Sequence, residues 1–271
     1  GDTVGVGCLV DSCGTCTSCA KHNEQYCRNR PTLTYNSPER DGSGRITMGG
    51  YSTEIVVREA FVVKVPTNLS LAAAAPLLCA GITMYSPLKH WGVGRGAQVG
   101  IVGLGGLGTM GVKLAKALGA HVTVFTTSEH KRDYATSLGA DAVVVLKAGE
   151  EITIASAEGL EFILDTVSVS HDLNPLIQKL AVDGHYVLVG APEHPHPPVA
   201  PFNLIGGRRS VCGSLIGGLA ETQEMLEFCG EHQITCEIEL IPVQKVNEAF
   251  DRLRSNSDVR GRFVLDIATL Q

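Results

Sequence analysis

Four cysteines crowd a short stretch of this chain: Cys13, Cys16, Cys19 and Cys27, at spacings of 3, 3 and 8. Four thiolates on a short irregular loop can close round one tetrahedral zinc. Such a site leaves no open position for substrate, so its chemistry is structural. An iron–sulfur cluster and disulfides are the competing readings. A bacterial ferredoxin run brings its fourth cysteine sooner and follows it with proline, whereas Arg28 follows Cys27 here. Disulfide staples suit chains too small to build a core, and this chain has 271 residues. The spacing therefore favours structural zinc. Of the other cysteines, Cys8 reads as a small buried hydrophobe. Cys79, flanked by Leu77-Leu78 and Ala80-Gly81, reads by itself as a core cysteine.

A second constellation handles phosphate. Gln98-Val99-Gly100-Ile101-Val102 is a short apolar strand, and Gly103-Leu104-Gly105-Gly106-Leu107-Gly108 follows it and opens a helical pattern. That is the context a GxGxxG run needs to bind a dinucleotide. Gly103 allows the tight turn, Gly105 admits the pyrophosphate to the backbone, and Gly108 lets the helix pack close. The helix N-terminus then faces the phosphates. About 20 residues on, an Asp or Glu would select NAD. The chain instead reads Phe125-Thr126-Thr127-Ser128-Glu129-His130-Lys131-Arg132. Hydroxyls at Thr126, Thr127 and Ser128, with charge from Lys131 or Arg132, suit the extra 2′-phosphate of NADP. Glu129 argues the other way, for NAD, but an acid is also favoured in a first helical turn.

The elements that must position these residues follow from periodicity. Residues 1–50 show little of it and need something other than a core to hold them. Residues 54–57 and 61–65 read as strands, and 71–80 and 82–90 as helical pieces broken at Pro76, Gly81 and Pro87. Beyond Gln98, strands at 98–102, 122–125, 142–146, 162–164, 186–189 and 210–213 alternate with helices at 109–118, 129–138 and 173–180. Near-continuous apolar strands alternating with helices signal a parallel sheet covered on both faces. After Gly218, helices at 221–232 and 246–254 and strands at 237–240 and 262–266 look like antiparallel pieces that could join the front of the chain in a second domain. Hydrophobic residues make up 44%, charged residues 18%, and the net charge is −6, with Lys and Arg unclustered. That excludes a nucleic-acid footprint. No apolar stretch is long enough to span a bilayer, and the free cysteines suit a reducing, cytoplasmic setting.

These runs together resemble the zinc-containing medium-chain alcohol dehydrogenases, in particular the cinnamyl alcohol dehydrogenase branch and its bacterial NADP-dependent aldehyde reductases. The matching residues include Gly5-Val6-Gly7-Cys8, the four-cysteine lobe, Thr34-Tyr35-Asn36, Gly49-Gly50-Tyr51, Ala75-Pro76-Leu77-Leu78-Cys79-Ala80-Gly81-Ile82-Thr83, Leu164-Asp165-Thr166-Val167 and Arg262-Phe263-Val264. The resemblance implies an α/β fold in which a Rossmann sheet is inserted in a partial GroES-like, mainly β catalytic domain. It divides the chain into 1–78, the Rossmann domain 79–214, and a return to the catalytic domain at 215–271. It makes Cys79 a ligand of a catalytic zinc, beside Thr83, in addition to the structural zinc. It places the pyrophosphate on Leu104, Gly105, Gly106 and Leu107, and lines the coenzyme channel with Thr166, Val189, Gly190, Ser214 and Ile216. Leu78, Trp91 and Ile216 would suit an aromatic or aliphatic aldehyde. The implied activity is hydride transfer between NADP(H) and an alcohol or aldehyde, in a homodimer pairing near residues 211–218. The family's other two catalytic ligands fall upstream of Gly1, leaving the catalytic zinc site incomplete in these 271 residues. The alternative expectation is therefore a coenzyme-binding unit with structural zinc and no catalysis.

Overall fold

The computed structural model describes residues 1–255 and 261–270. The chain divides into two compact units, one of Gly1–Ile82 with Ile216–Gln271, the other of Thr83–Leu215. The first unit opens with six short strands: β1 (Val4–Val6), β2 (Leu9–Asp11), β3 (Thr32–Leu33), β4 (Tyr35–Pro38), β5 (Ile46–Met48) and β6 (Val62–Lys64). They pair antiparallel as β1–β6, β2–β3 and β4–β5. The cysteine segment between β2 and β3 has only two single 3-10 turns, Cys19–Lys21 and Glu24–Tyr26. The strand expected at 54–57 does not form. No strand among the described residues pairs with it, and Val56 is 99% exposed. Apolar, β-branched residues alone do not make a strand without a partner ladder.

Helix α1 (Leu71–Ala74) and a 3-10 turn (Ala75–Leu78) lead into α2 (Ala80–His90). Pro87 lies inside α2 and does not break it. Met84, Tyr85 and Leu88 on the same helix are at most 1% exposed, and that burial outweighs the hydrogen bond a proline removes.

The second unit is a six-stranded sheet. Its elements are β7 (Gln98–Val102), α3 (Gly106–Ala117), β8 (His121–Thr126), α4 (Arg132–Ser137), β9 (Ala142–Val145), β10 (Leu160–Asp165), α5 (Asn174–Ile177), β11 (Leu180–Leu188), α6 (Pro201–Ile205) and β12 (Ser210–Gly213). The spatial order is β12-β11-β10-β7-β8-β9, and every pairing is parallel. Counted within the unit, that is the doubly wound order with its switch point between the first and fourth strands, here β7 and β10. The core runs through Phe125, Leu160, Ile163, Leu176, Ile177 and Tyr186. The helix expected over 173–180 is one turn long, because Leu180 already pairs with Leu160 as the start of β11. Asp183, at φ +61°, and Gly184 lie in the register shift between the Leu160–Leu180 and Phe162–His185 pairs. Asp tolerates the left-handed region better than most residues.

The chain then returns to the first unit through α7 (Leu219–His232), β13 (Ile238–Pro242), α8 (Val246–Arg254) and β14 (Arg262–Asp266). β13 and β14 pair in parallel, not antiparallel as their sequence suggested. A helix between two strands returns the chain to run the same way. The front and the return interlock within this unit. The Gln223 side chain on α7 bonds both backbone groups of Lys64 on β6, at 2.8 and 3.2 Å. Glu24 of the cysteine segment accepts the Leu219 N–H that opens α7, at 3.0 Å. Among the described residues, no single helix is long and apolar enough to cross a membrane.

Candidate functional site

The four cysteines of the first unit converge as their spacing predicts. All four Sγ atoms lie within 4.8 Å of one another. Cys13 Sγ is 3.9 Å and Cys16 Sγ 3.5 Å from Cys19 Sγ, close to the separation of about 3.8 Å that Zn–S bonds of about 2.3 Å impose on a tetrahedron. Backbone N–H groups point at the sulfurs, Cys16 N to Cys13 Sγ at 3.4 Å and Cys13 N to Cys27 Sγ at 3.5 Å. Such donors favour thiolate, and those from Thr15 and Cys16 draw Cys13 down to about 5. Burial pushes Cys19 up to about 11, so its deprotonation needs the cation. The donor set fits structural zinc.

In the second unit the phosphate loop follows β7 at the switch point. Gly103 has φ +86° and donates its N–H to Phe125 O at 2.9 Å. A Cβ on Gly108 would lie 2.0 Å from Gly103 O, so only glycine lets α3 start this close to the turn. A Cβ on Gly105 would meet nothing within 4 Å, which is the open side a ligand can approach. No side chain caps α3, so its first N–H groups are left for an anion.

The segment after β8 divides its charges. Glu129 pairs with Arg132 at 2.7 Å, and Arg132 also donates to Val143 O at 2.9 Å. The Arg132 guanidinium holds the Glu129 carboxyl below its ordinary range. Both charges are thereby spent on each other. Lys131 instead reaches back to the phosphate loop, its Nζ donating to Leu104 O at 3.2 Å. Thr126 is buried, and its hydroxyl accepts the Ser128 N–H at 3.2 Å. Ser128 Oγ lies 3.1 Å from the His130 ring nitrogens. Thr127 is exposed beside them. Across the switch point, Thr166 Oγ1 donates to Val102 O at 2.7 Å. Val189 and Gly190 both donate backbone N–H to Asp165 O at 3.0 Å, and Ser214 N to Leu188 O at 3.1 Å. Thus Thr166, Val189, Gly190 and Ser214 all sit at C-terminal ends of neighbouring strands, where ligands bind in open α/β sheets.

Residues 1–67 match the alcohol dehydrogenase GroES-like domain family and residues 106–231 the zinc-binding dehydrogenase family. The chain is 52% identical over 271 residues to the aldehyde reductase YahK of Escherichia coli, covering 100% of this chain and 76% of that protein. The chain belongs to the zinc-type medium-chain alcohol dehydrogenases. Among solved structures, a cinnamyl alcohol dehydrogenase of Sorghum bicolor is 45% identical with a TM-score of 0.93, covering 100% of this chain and 76% of that one. The CAD of Helicobacter pylori, complexed with NADP(H), is 40% identical with a TM-score of 0.89, covering 99% and 76%.

For a zinc dehydrogenase, Cys79 is the residue whose surroundings matter most, and it is not a core cysteine. It is exposed, just ahead of α2 in the first unit. The neighbouring Cys8 thiol, which donates to Leu78 O at 3.8 Å, and the Arg262 charge together hold Cys79 down at about 6. Cys8 itself is pushed up by its contact with Cys79 and by burial, while the Tyr35 hydroxyl lies 3.9 Å from its sulfur. Cys8 is therefore a neighbour of the candidate zinc ligand, a role no spacing signal pointed to. Outside the four-cysteine lobe, no cluster of three metal-ligating side chains occurs among the described residues. Thr83 is buried on the first turn of α2. Leu78 and Ile216 line one apolar recess with Cys8 and Ile82, and Ile216 has φ +38°. Trp91 does not join them. It packs on Phe162 of β10 and His185 of β11, with ring centroids 5.8 and 5.9 Å away.

Proposed function

We propose that this chain transfers hydride between NADP(H) and an alcohol/aldehyde pair, with zinc, and acts on aromatic or aliphatic aldehydes. The observation that carries the coenzyme choice is the division of charges after β8. Lys131 is aimed at the phosphate loop, while Glu129, the acid that would favour NAD, is neutralised by Arg132. A 2′-phosphate beside Thr127, Ser128 and Lys131 gains charge-assisted hydrogen bonds. Thr126 shapes that turn by capping it.

On this reading the backbone of Gly103, Leu104, Gly105, Gly106, Leu107 and Gly108 holds the pyrophosphate. Thr166, Val189, Gly190, Ser214 and Ile216 line the path toward the nicotinamide, whose C4 supplies the hydride. Cys79 would be one ligand to a catalytic zinc, which when bound would supply Lewis-acid chemistry at a carbonyl oxygen. The Cys8 contact and the Arg262 charge favour the thiolate of Cys79, and Thr83 follows it four residues on in α2. Residues 1–78 and 215–271 serve as the catalytic domain and 79–214 as the coenzyme domain. The apolar recess of Leu78, Ile82 and Ile216 favours a substrate with a hydrocarbon body. A cytoplasmic homodimer pairing near residues 211–218 completes the reading.

Fluorescence titration with NADPH and with NADH tests the coenzyme choice. NADPH is expected to bind at least tenfold tighter, and equal or tighter binding of NADH refutes the assignment. Loss of NADPH on reducing benzaldehyde, absent in Cys79→Ala, tests the reaction.

A further inference from the structure

The C-terminal end of β10 buries a charge that the functional reading above does not use. Asp165 has 0% exposure. Its Oδ1 accepts the Val167 N–H at 2.9 Å. Its Oδ2 accepts the Tyr186 hydroxyl from β11 at 2.9 Å and lies 3.0 Å from His171 Nε2. The other ring nitrogen of His171, Nδ1, lies 3.0 Å from the Val169 carbonyl. Nε2 makes no in-line hydrogen bond and is buried, so it meets Oδ2 as an ion-pair partner, and a carboxylate at 3.0 Å favours the imidazolium. His196 packs edge-on to that ring at 4.8 Å between centroids. Its Nδ1 sits by the His171 backbone, 3.3 Å from N and 3.0 Å from O, while its Nε2 is buried without a partner. Asp172 adds a second negative charge near His171.

What Asp165 holds is the wall of the coenzyme crevice. Thr166 and Val167 follow it directly, and they have no slack. A Cβ on Gly103, in the phosphate turn, would lie 2.9 Å from Thr166 Oγ1 and 3.2 Å from Val167 Cγ2. A Cβ on Gly190, on the other side, would lie 2.3 Å from Val167 O. The Asp165 carboxylate fixes Val167 N between these two turns. We propose that His171, as an imidazolium, is a positioning residue for NADP(H): it neutralises buried Asp165 and so locks the Thr166–Val167 wall against the phosphate turn. This rests on the coenzyme reading above. It is pH-dependent in a definite direction. The Asp165 contact raises His171 above its ordinary value of 6.5. The pairing is fully present below about 6.5 and is lost as pH rises through the raised value. The Tyr186 hydroxyl, pushed up by burial and by Asp165, stays protonated throughout.

The test is NADPH titration of the full chain between about pH 7 and 10, where a 2′-phosphate with second pKa of about 6 has already ionised. Wild type is compared with His171→Gln, which can donate a hydrogen bond but carries no charge, and with Asp165→Asn, which removes the charge His171 neutralises. Wild-type affinity is expected to fall about fivefold or more across the His171 titration, the low end of coupling between linked sites. His171→Gln is expected to bind weakly with no corresponding step, and Asp165→Asn to bind tightly, also without it. Ring NMR of His171 should show a raised pKa that NADPH raises further, as reciprocity requires. A purely structural histidine would lower the urea midpoint and leave the pH profile unchanged. The proposal is overturned if His171 titrates at or below its ordinary value, or if wild type and His171→Gln share one pH profile. A wild type that binds no NADPH at any pH instead sinks the coenzyme reading, and this inference with it.

Discussion

The cysteine lobe and the coenzyme sheet sit in one chain and are held by opposite means. Between β2 and β3 the backbone makes two 3-10 turns and otherwise no regular structure. Its buried cysteines, Cys19 and Cys27, bring their sulfurs within 4.8 Å of those of Cys13 and Cys16. In the sheet, Val99, Ile101, Val122, Val124 and Ile163 are all 0% exposed, and apolar burial does the work. The difference teaches where each region is vulnerable. A lobe whose donors are thiolates depends on its metal, because metal binding and folding are coupled. A sheet depends on close approach, because a packed interior tolerates neither a void nor an extra methyl.

Removing the metal is the largest way to break that comparison. Stripping zinc with a chelator, or Cys16→Ser, is expected to unfold the lobe and lose one zinc per chain, since structural zinc sites contribute about 10 kcal/mol or more. Hydrogen exchange should show the loss confined to the 11–33 segment and its contacts with α7, with β7–β12 still protected. Equal deprotection of the sheet would end the distinction. Next comes the sheet's own weak point. Gly108→Ala places a methyl where Gly103 O lies 2.0 Å away. The loop must shift, and NADPH binding is expected to weaken by about two orders of magnitude, or about 2.7 kcal/mol, while zinc content holds. Retained affinity would show that the phosphate loop is not the coenzyme's cradle. The smallest effect sharpens the picture without unfolding either region. Lys131→Ala is expected to weaken NADPH about tenfold and NADH less than twofold, because only the former carries the 2′-phosphate. A parallel loss for both coenzymes would move that role to Arg132.

The sequence by itself determined the features whose geometry is local. Cysteine spacing sets how four sulfurs can meet, and they meet within 4.8 Å. Gly103, Gly105 and Gly108 required a turn, an open approach and a close packing, because those depend on backbone freedom a few residues apart. The strand boundaries of β7, β12 and β14 and the helix α8 were legible for the same reason. Only the tertiary structure decided the rest, since it turns on partners far along the chain. It left 54–57 without a ladder and cut the 173–180 helix to one turn by pairing Leu180 with Leu160. It gave Glu129 to Arg132 and turned Lys131 back to Leu104 O. It moved Cys79 out of the core to face Cys8 and Arg262, which are 71 and 183 residues away. It also buried Asp165 between Tyr186 and His171. A buried carboxylate must find its counter-charge wherever the fold brings one, and no local pattern announces which residue that is.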